Sequence, residues 1–196
     1  MFLADALARH AAARPSDLAL TVAGEQLTWS GLASRVHRSA HVLLGLGAGA
    51  DAPVVSLLGN GRELVETQLA ALTIGAVYVP LLPASVGREI EHVVRDSGAR
   101  ILICEADRAA DLHEAFPDLS LVIVGEPDGA VRAVSGPGVV AYAAATEAAG
   151  DHDPGVRPDP QAVATIRYTS GTTGTPKGCL TTHDRLAWAA AVYLSQ

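Results

Sequence analysis

Tyr168-Thr169-Ser170-Gly171-Thr172-Thr173-Gly174-Thr175-Pro176-Lys177-Gly178 is the stretch of this 196-residue chain on which the fold and the chemistry turn. Three of its last eight positions are glycine, which lets a backbone adopt positive φ and approach a ligand closely. Successive N–H groups in such a turn form a nest for an anion. Hydroxyls on Thr169, Ser170, Thr172, Thr173 and Thr175 add rotatable donors suited to phosphate oxygens. Lys177 adds a mobile positive charge. It is the only lysine, for the other 13 of the 14 Lys and Arg residues are arginine. A Walker A loop would need Gly in place of Pro176, Ser or Thr in place of Gly178, and a helix straight afterwards. Pro176 has no N–H to offer, no hydroxyl follows the lysine, and Cys179–Thr182 reads as extended. Walker A fails on all three counts, and the alternative to an anion nest is an exposed Gly/Thr turn between two strands.

Upstream, strand and helix patterns alternate. Leu32, Val36, Ala40 and Leu43 fall at helical spacing, so 30–45 is an amphipathic helix. Pro53–Leu58 is a continuous apolar run, as in a strand buried on both faces. Asn60 with Glu63 suggests a capping pair for a helix that continues through Val65, Leu69 and Leu72 to Gly75. Ala76–Val79 is a second strand, stopped by Pro80. Ser85 is placed to cap a third helix carrying Ile90, Val93 and Val94, with Gly98 just past its end. Ile101–Cys104 and Leu121–Val124 are further strands around a short helix near 107–115. Gly125–Gly138 interrupts the rhythm, Ala162–Ile166 resumes it as a strand into the loop, and a helix follows over 184–196. The order βαβα predicts an α/β fold: a mostly parallel sheet with helices on both faces. The expected division is a subdomain over 1–149, a polar linker over 150–160, and the start of a second subdomain, carrying the loop, over 161–196.

Composition narrows the function classes. Hydrophobic residues make up 49% and charged residues 18%, a globular balance. A formal charge of −7 argues against a nucleic-acid surface. No apolar run reaches the length of a bilayer span, and the first residues lack the pattern of a signal or transit peptide, so no membrane partner and a cytoplasmic setting are expected. Cys104 and Cys179 are far apart with no CxxC, and the seven histidines show no metal spacing. Cys179 is expected as a small apolar residue of a buried strand, and His183 as a helix-start residue. His10, His37, His41, His92, His113 and His152 are expected on solvated faces or loops. Ser170 is not in a GxSxG elbow.

The loop resembles the phosphate-loop signature of the adenylate-forming superfamily, which includes acyl- and aryl-CoA synthetases, nonribosomal peptide adenylation domains and luciferases. Leu27-Thr28-Trp29-Ser30-Gly31-Leu32, Gly75-Ala76-Val77-Tyr78-Val79-Pro80-Leu81 and Asp96-Ser97-Gly98-Ala99-Arg100 are similar to three further family segments, in the family's order. The resemblance implies the first part of the large N-terminal domain of such an enzyme. It implies ATP as substrate, Mg²⁺, activation of a small carboxylic acid as an acyl-AMP, and transfer to the thiol of coenzyme A or phosphopantetheine. Carried over residue by residue, Ser170, Thr172 and Thr173 would donate to the β- and γ-phosphates, and Gly171 and Gly174 would admit close backbone approach. Thr175 belongs to the same cofactor-binding set. Thr169 would touch Mg²⁺, and Lys177 would neutralise the leaving pyrophosphate. Leu81-Leu82-Pro83-Ala84 and Cys179–His183 lean towards a CoA ligase. The family's later acidic and lysine motifs lie beyond this sequence, so alternatives are a truncated paralogue serving as an interaction module, or half of a split enzyme completed by a C-terminal polypeptide. A carrier protein is a further possible partner.

Overall fold

The computed structural model describes residues 3–50, 52–125, 134–169 and 175–194. Helix α1 (Leu3–Ala13) is followed by a hairpin of β1 (Leu18–Val22) and β2 (Glu25–Thr28), then helix α2 (Trp29–Gly45). The alternating part comprises β3 (Val54–Leu57), α3 (Arg62–Thr73), β4 (Tyr78–Pro80), α4 (Gly87–Ser97), β5 (Ile101–Glu105), a 3₁₀ turn (Ala106–Arg108), α5 (Ala109–Ala115) and β6 (Ser120–Val124). Then come β7 (Val139–Ala141), α6 (Tyr142–Ala148), β8 (Val163–Thr169), β9 (Lys177–Thr182) and α7 (His183–Leu194).

Seven strands form one sheet in the order β7-β6-β5-β3-β4-β8-β9. All neighbours run parallel except β8 and β9. The expected α/β architecture is the one observed. Because successive strand side chains point to opposite faces, each apolar run feeds two cores. Val54, Tyr78, Ile101, Ile103 and Val122 meet α2 and α3 on one side. Val55, Val79, Leu102, Cys104, Leu121 and Ile123 meet α4 and α5 on the other. This two-sided burial is why the strands read as unbroken hydrophobic runs.

Local signals explain most element ends, with two exceptions. The Thr28 hydroxyl accepts from the Gly31 N–H and caps α2, and Gly98 ends α4 at φ +68°. The expected caps at Asn60 and Ser85 do not form: α3 starts after Gly61 and α4 after Val86, neither with a side-chain cap bond. Glu63 and Glu89 in the first turns complement the helix dipoles instead. The second strand begins two residues later than expected, at Tyr78, because Gly75 turns the chain at φ +72° with the Pro158 ring against it. The polar stretch 150–160 is stitched along one face of α2. Ser34 donates to Asp151 Oδ2, His37 Nδ1 bonds the Asp151 carbonyl, and His41 Nε2 bonds the His152 carbonyl. Arg38 donates to the carbonyls of Thr146, Glu147 and Ala149. These four residues share the i, i+3, i+4, i+7 spacing of one helix face.

One buried polar network joins α2, α3 and α6. Glu66, only 1% exposed, pairs with Arg35 and lies 3.3 Å from Arg62 Nε. It also accepts a 2.6 Å bond from the Tyr142 hydroxyl, which bonds Ser39 in turn. Burial raises the Tyr142 and Tyr78 phenols above their ordinary values and pushes the Cys104 thiol up to about 12. Unfolding releases these groups to ionise near their ordinary values of 9.0 for cysteine and 10.0 for tyrosine. Above those values the native state holds more protons, so stability is intact below about pH 9 and falls as pH rises further. Urea unfolding should therefore show a decline above about pH 9 of up to ~1.4 kcal/mol per pH unit for each such group. Tyr142→Phe should lower stability by about 1.5–3 kcal/mol at neutral pH, the worth of a hydrogen bond to a charged group. It should also make the alkaline decline shallower; wild-type behaviour on both counts would contradict the network's role.

Candidate nucleotide-phosphate site

In a parallel sheet all the carboxyl ends lie along one edge, and open α/β sheets bind ligands there. β8 runs parallel to β4, with Tyr78 opposite Thr165, so Thr169 emerges at the same edge as the ends of β3 to β6. The chain returns as β9, antiparallel to β8, with Tyr168 opposite Gly178 and Thr169 opposite Lys177. The loop thus springs from a closed ladder rung whose two members are the predicted Thr169 and Lys177. They share one face of the hairpin and both are exposed. Thr175 is exposed as well. Ser170, Gly171, Thr172, Thr173 and Gly174 lie outside the described residues. The segment after the lysine is a strand, not the helix a Walker A loop requires.

The opposite face of the hairpin rests on α4. Tyr168, immediately before Thr169, donates its hydroxyl to Asp96 Oδ2 at 2.6 Å. Partial burial, then this bond and the Asp96 charge, raise the phenol's ionisation well above its ordinary value. Pro176, immediately before Lys177, accepts at its carbonyl from His92 Nε2 at 2.8 Å. A carbonyl only accepts, so the proton sits on Nε2. The His92 and Tyr168 rings meet edge to face at 5.9 Å. His92 is therefore no idle solvated residue, and its spacing in the sequence carried no sign of a partner 84 residues away. Gly178 leaves room for this packing, since a Cβ there would stand 2.8 Å from Ile166 Cγ2 and 3.3 Å from Tyr168 Cζ.

The remaining residues sort plainly. Cys179 is exposed on β9, a correction to the buried position expected of it, because β9 is the last strand of the sheet and has a neighbour on one side only. Cys104 is the buried thiol, and both are free. His183 begins α7, as expected, and is buried; that burial disfavours its protonated form. Further along the carboxyl edge, Glu105 Oε1 accepts from the Gly59 N–H at 2.9 Å and bridges the ends of β3 and β5.

A mostly parallel sheet with helices on both faces, and with the stems of a Gly- and Thr-rich segment at its carboxyl edge, places that segment where open α/β sheets bind ligands. Residues 7–196 match the family described as AMP-binding enzyme, and the chain belongs to that family. It is 32% identical to the indoleacetate–CoA ligase of Aromatoleum aromaticum over 97% of this chain and 36% of that protein. It is 33% identical to surfactin synthase subunit 1 of Bacillus subtilis over 90% of this chain and 4% of that protein. Among solved structures, ATP-bound MatB from Rhodopseudomonas palustris superposes with a TM-score of 0.83 at 26% identity, over 100% of this chain and 38% of that one. The chain spans about a third of the length of the ligase it matches.

The close packing under the loop is testable. Gly178→Ala should cost about 1–3 kcal/mol, as overpacking does, read as a lowered urea midpoint. Wild-type stability would show that Ile166 and Tyr168 do not close over this glycine.

Proposed function

We propose that this chain forms the amino-terminal part of an acid–thiol ligase that activates a carboxylic acid with ATP. The observation that carries the reading is the hairpin loop, with its single lysine, held on the carboxyl edge of a sheet belonging to the AMP-binding family. A carboxylate oxygen attacks the α-phosphate of ATP, the α–β phosphoanhydride bond breaks, and acyl-AMP and pyrophosphate form. A thiol, of coenzyme A or a carrier-protein phosphopantetheine, then displaces AMP to give a thioester.

In this scheme the backbone N–H groups and hydroxyls of Ser170–Thr175 hold the β- and γ-phosphates, and Lys177 meets the charge building on the leaving pyrophosphate. Thr169 would offer one neutral oxygen to a Mg²⁺, which would supply charge neutralisation between ATP and the incoming carboxylate. That donor set fits an ion held mainly by phosphates and water. Among the described residues no three His, Cys, Asp or Glu side chains gather to cage a metal. The relatives include a CoA ligase and a tripeptide synthetase, each 32% identical, so the proposal takes either coenzyme A or a carrier protein as the thiol acceptor. Their names are those of ligases and synthetases, which favours an enzyme over an interaction module.

The same proposal takes residues 161–196 as the start of a second subdomain growing from the β9 edge. Exposed Leu180 and Trp188 there support further structure packing on them. A cytoplasmic setting, where ATP and free thiols are available, belongs to the proposal too. Among the described residues no helix is long and apolar enough to cross a membrane.

The test is ATP–pyrophosphate exchange by the full-length protein over a panel of carboxylic acids. One or more acids should support exchange, and Lys177→Ala should slow it by about tenfold to a thousandfold. A folded protein that exchanges with no acid would overturn the ligase reading, and an unchanged rate in the variant would remove the lysine from it.

A further inference from the structure

We infer that His92 and Asp96 are positioning residues that clamp both ends of the phosphate loop to helix α4. The inference rests on the adenylation reading of that loop and adds two residues to its machinery.

The geometry is economical. His92 and Asp96 are four residues apart and so lie one turn apart on the same face of α4. The opposite face, Ile90, Val93 and Val94, is buried in the core, which makes the helix a rigid anchor. From it, Asp96 takes the entry of the loop through the Tyr168 hydroxyl, and His92 takes its exit through the Pro176 carbonyl. Each held residue directly precedes a candidate phosphate-site group: Tyr168 precedes Thr169, and Pro176 precedes Lys177. The proline ring fixes its own φ, so a fixed Pro176 carbonyl also sets where the Lys177 backbone begins. The Tyr168 side chain, and the His92 ring that meets it, lie on the face of the hairpin away from the Thr169 and Lys177 side chains. The two stems are thereby steadied from behind, while Thr169 and Lys177 stay exposed in front. Catalysis by prepositioned donors gains from such steadying, since an error of about 1 Å costs on the order of a hundredfold in rate.

A role in packing alone would lower stability without touching ATP. The experiment uses the full-length protein as wild type, His92→Ala, His92→Gln, Asp96→Ala and Asp96→Asn. It measures exchange kinetics in ATP and in acid, and hydrogen–deuterium exchange of the free protein over 168–178. Glutamine can still donate to the Pro176 carbonyl, and asparagine can still accept from Tyr168. The alanine variants should lose about tenfold to a hundredfold in kcat/KM for ATP, with KM for the acid within about twofold. Their loop amides should exchange faster, and the Gln and Asn variants should recover most of both losses. Alanine variants with a lowered unfolding midpoint but wild-type ATP kinetics and loop exchange would overturn the clamp. Equal losses in the conservative variants would do the same. A wild type inactive with every acid would sink the adenylation reading, and the loop amide rates alone would then decide the clamp.

Discussion

The parallel pairing of β8 with β4 is the constraint on which the candidate site depends. It rests on a short contact, Tyr78 opposite Thr165, continued by the buried Ala164 and Thr165. Yet it sets the polarity of everything after residue 160. Were β8 antiparallel to β4, the loop would emerge at the amino edge, away from the ends of β3 to β6. Parallel pairing needs a long crossover, and 150–160 supplies its last leg, tied along α2 by Ser34, His37 and His41 and by the Arg38–Asp151 ion pair. The bonds that hold this polar stretch therefore help place the loop, although none is near it.

Two designs of restraint meet at the hairpin. In front, the Thr169 and Lys177 rung closes the loop with the two groups assigned to metal and phosphate. Behind, α4 reaches both stems through one aromatic hydroxyl and one imidazole. The Tyr168 bond is to a carboxylate and so belongs to the stronger class, while the His92 bond fixes direction more than energy. Gly178 is the position where the two designs touch, because a Cβ there would clash with Ile166 and crowd the ring that α4 holds.

Much of this was legible in the sequence. Strands buried on both faces announce themselves as apolar runs, and the runs match β3, β5 and β6 to within a residue or two. The loop stands out in the sequence because glycines, hydroxyls and the lysine coincide in one short segment, as a phosphate site requires. Other features left weaker traces. The β1–β2 hairpin turns through Ala23 at φ +49° and Gly24 at φ +83°, so both central residues are left-handed, but alanine is no advertised turn residue. β7 is three residues long and follows the Gly-rich break, too short to show a period. Asn60 and Ser85 have the right chemistry for caps but stand one residue outside the positions that need it. The exposure of Cys179 leaves no trace in the sequence, because a strand's place at the edge of a sheet depends on topology and not on its own residues. The reach of His92 to Pro176 is purely tertiary.

The central claim is that the loop opening at Thr169 and closing at Lys177 receives the terminal phosphates of ATP. A crystal structure of the full-length protein with an ATP analogue carrying a methylene bridge between the α- and β-phosphates tests it most directly. The account predicts the β- and γ-phosphates within the loop, Lys177 Nζ about 3 Å from one of their oxygens, and Tyr168 still bonded to Asp96. Phosphates seated elsewhere on the carboxyl edge, for example against Gly59 at the end of β3, would contradict it.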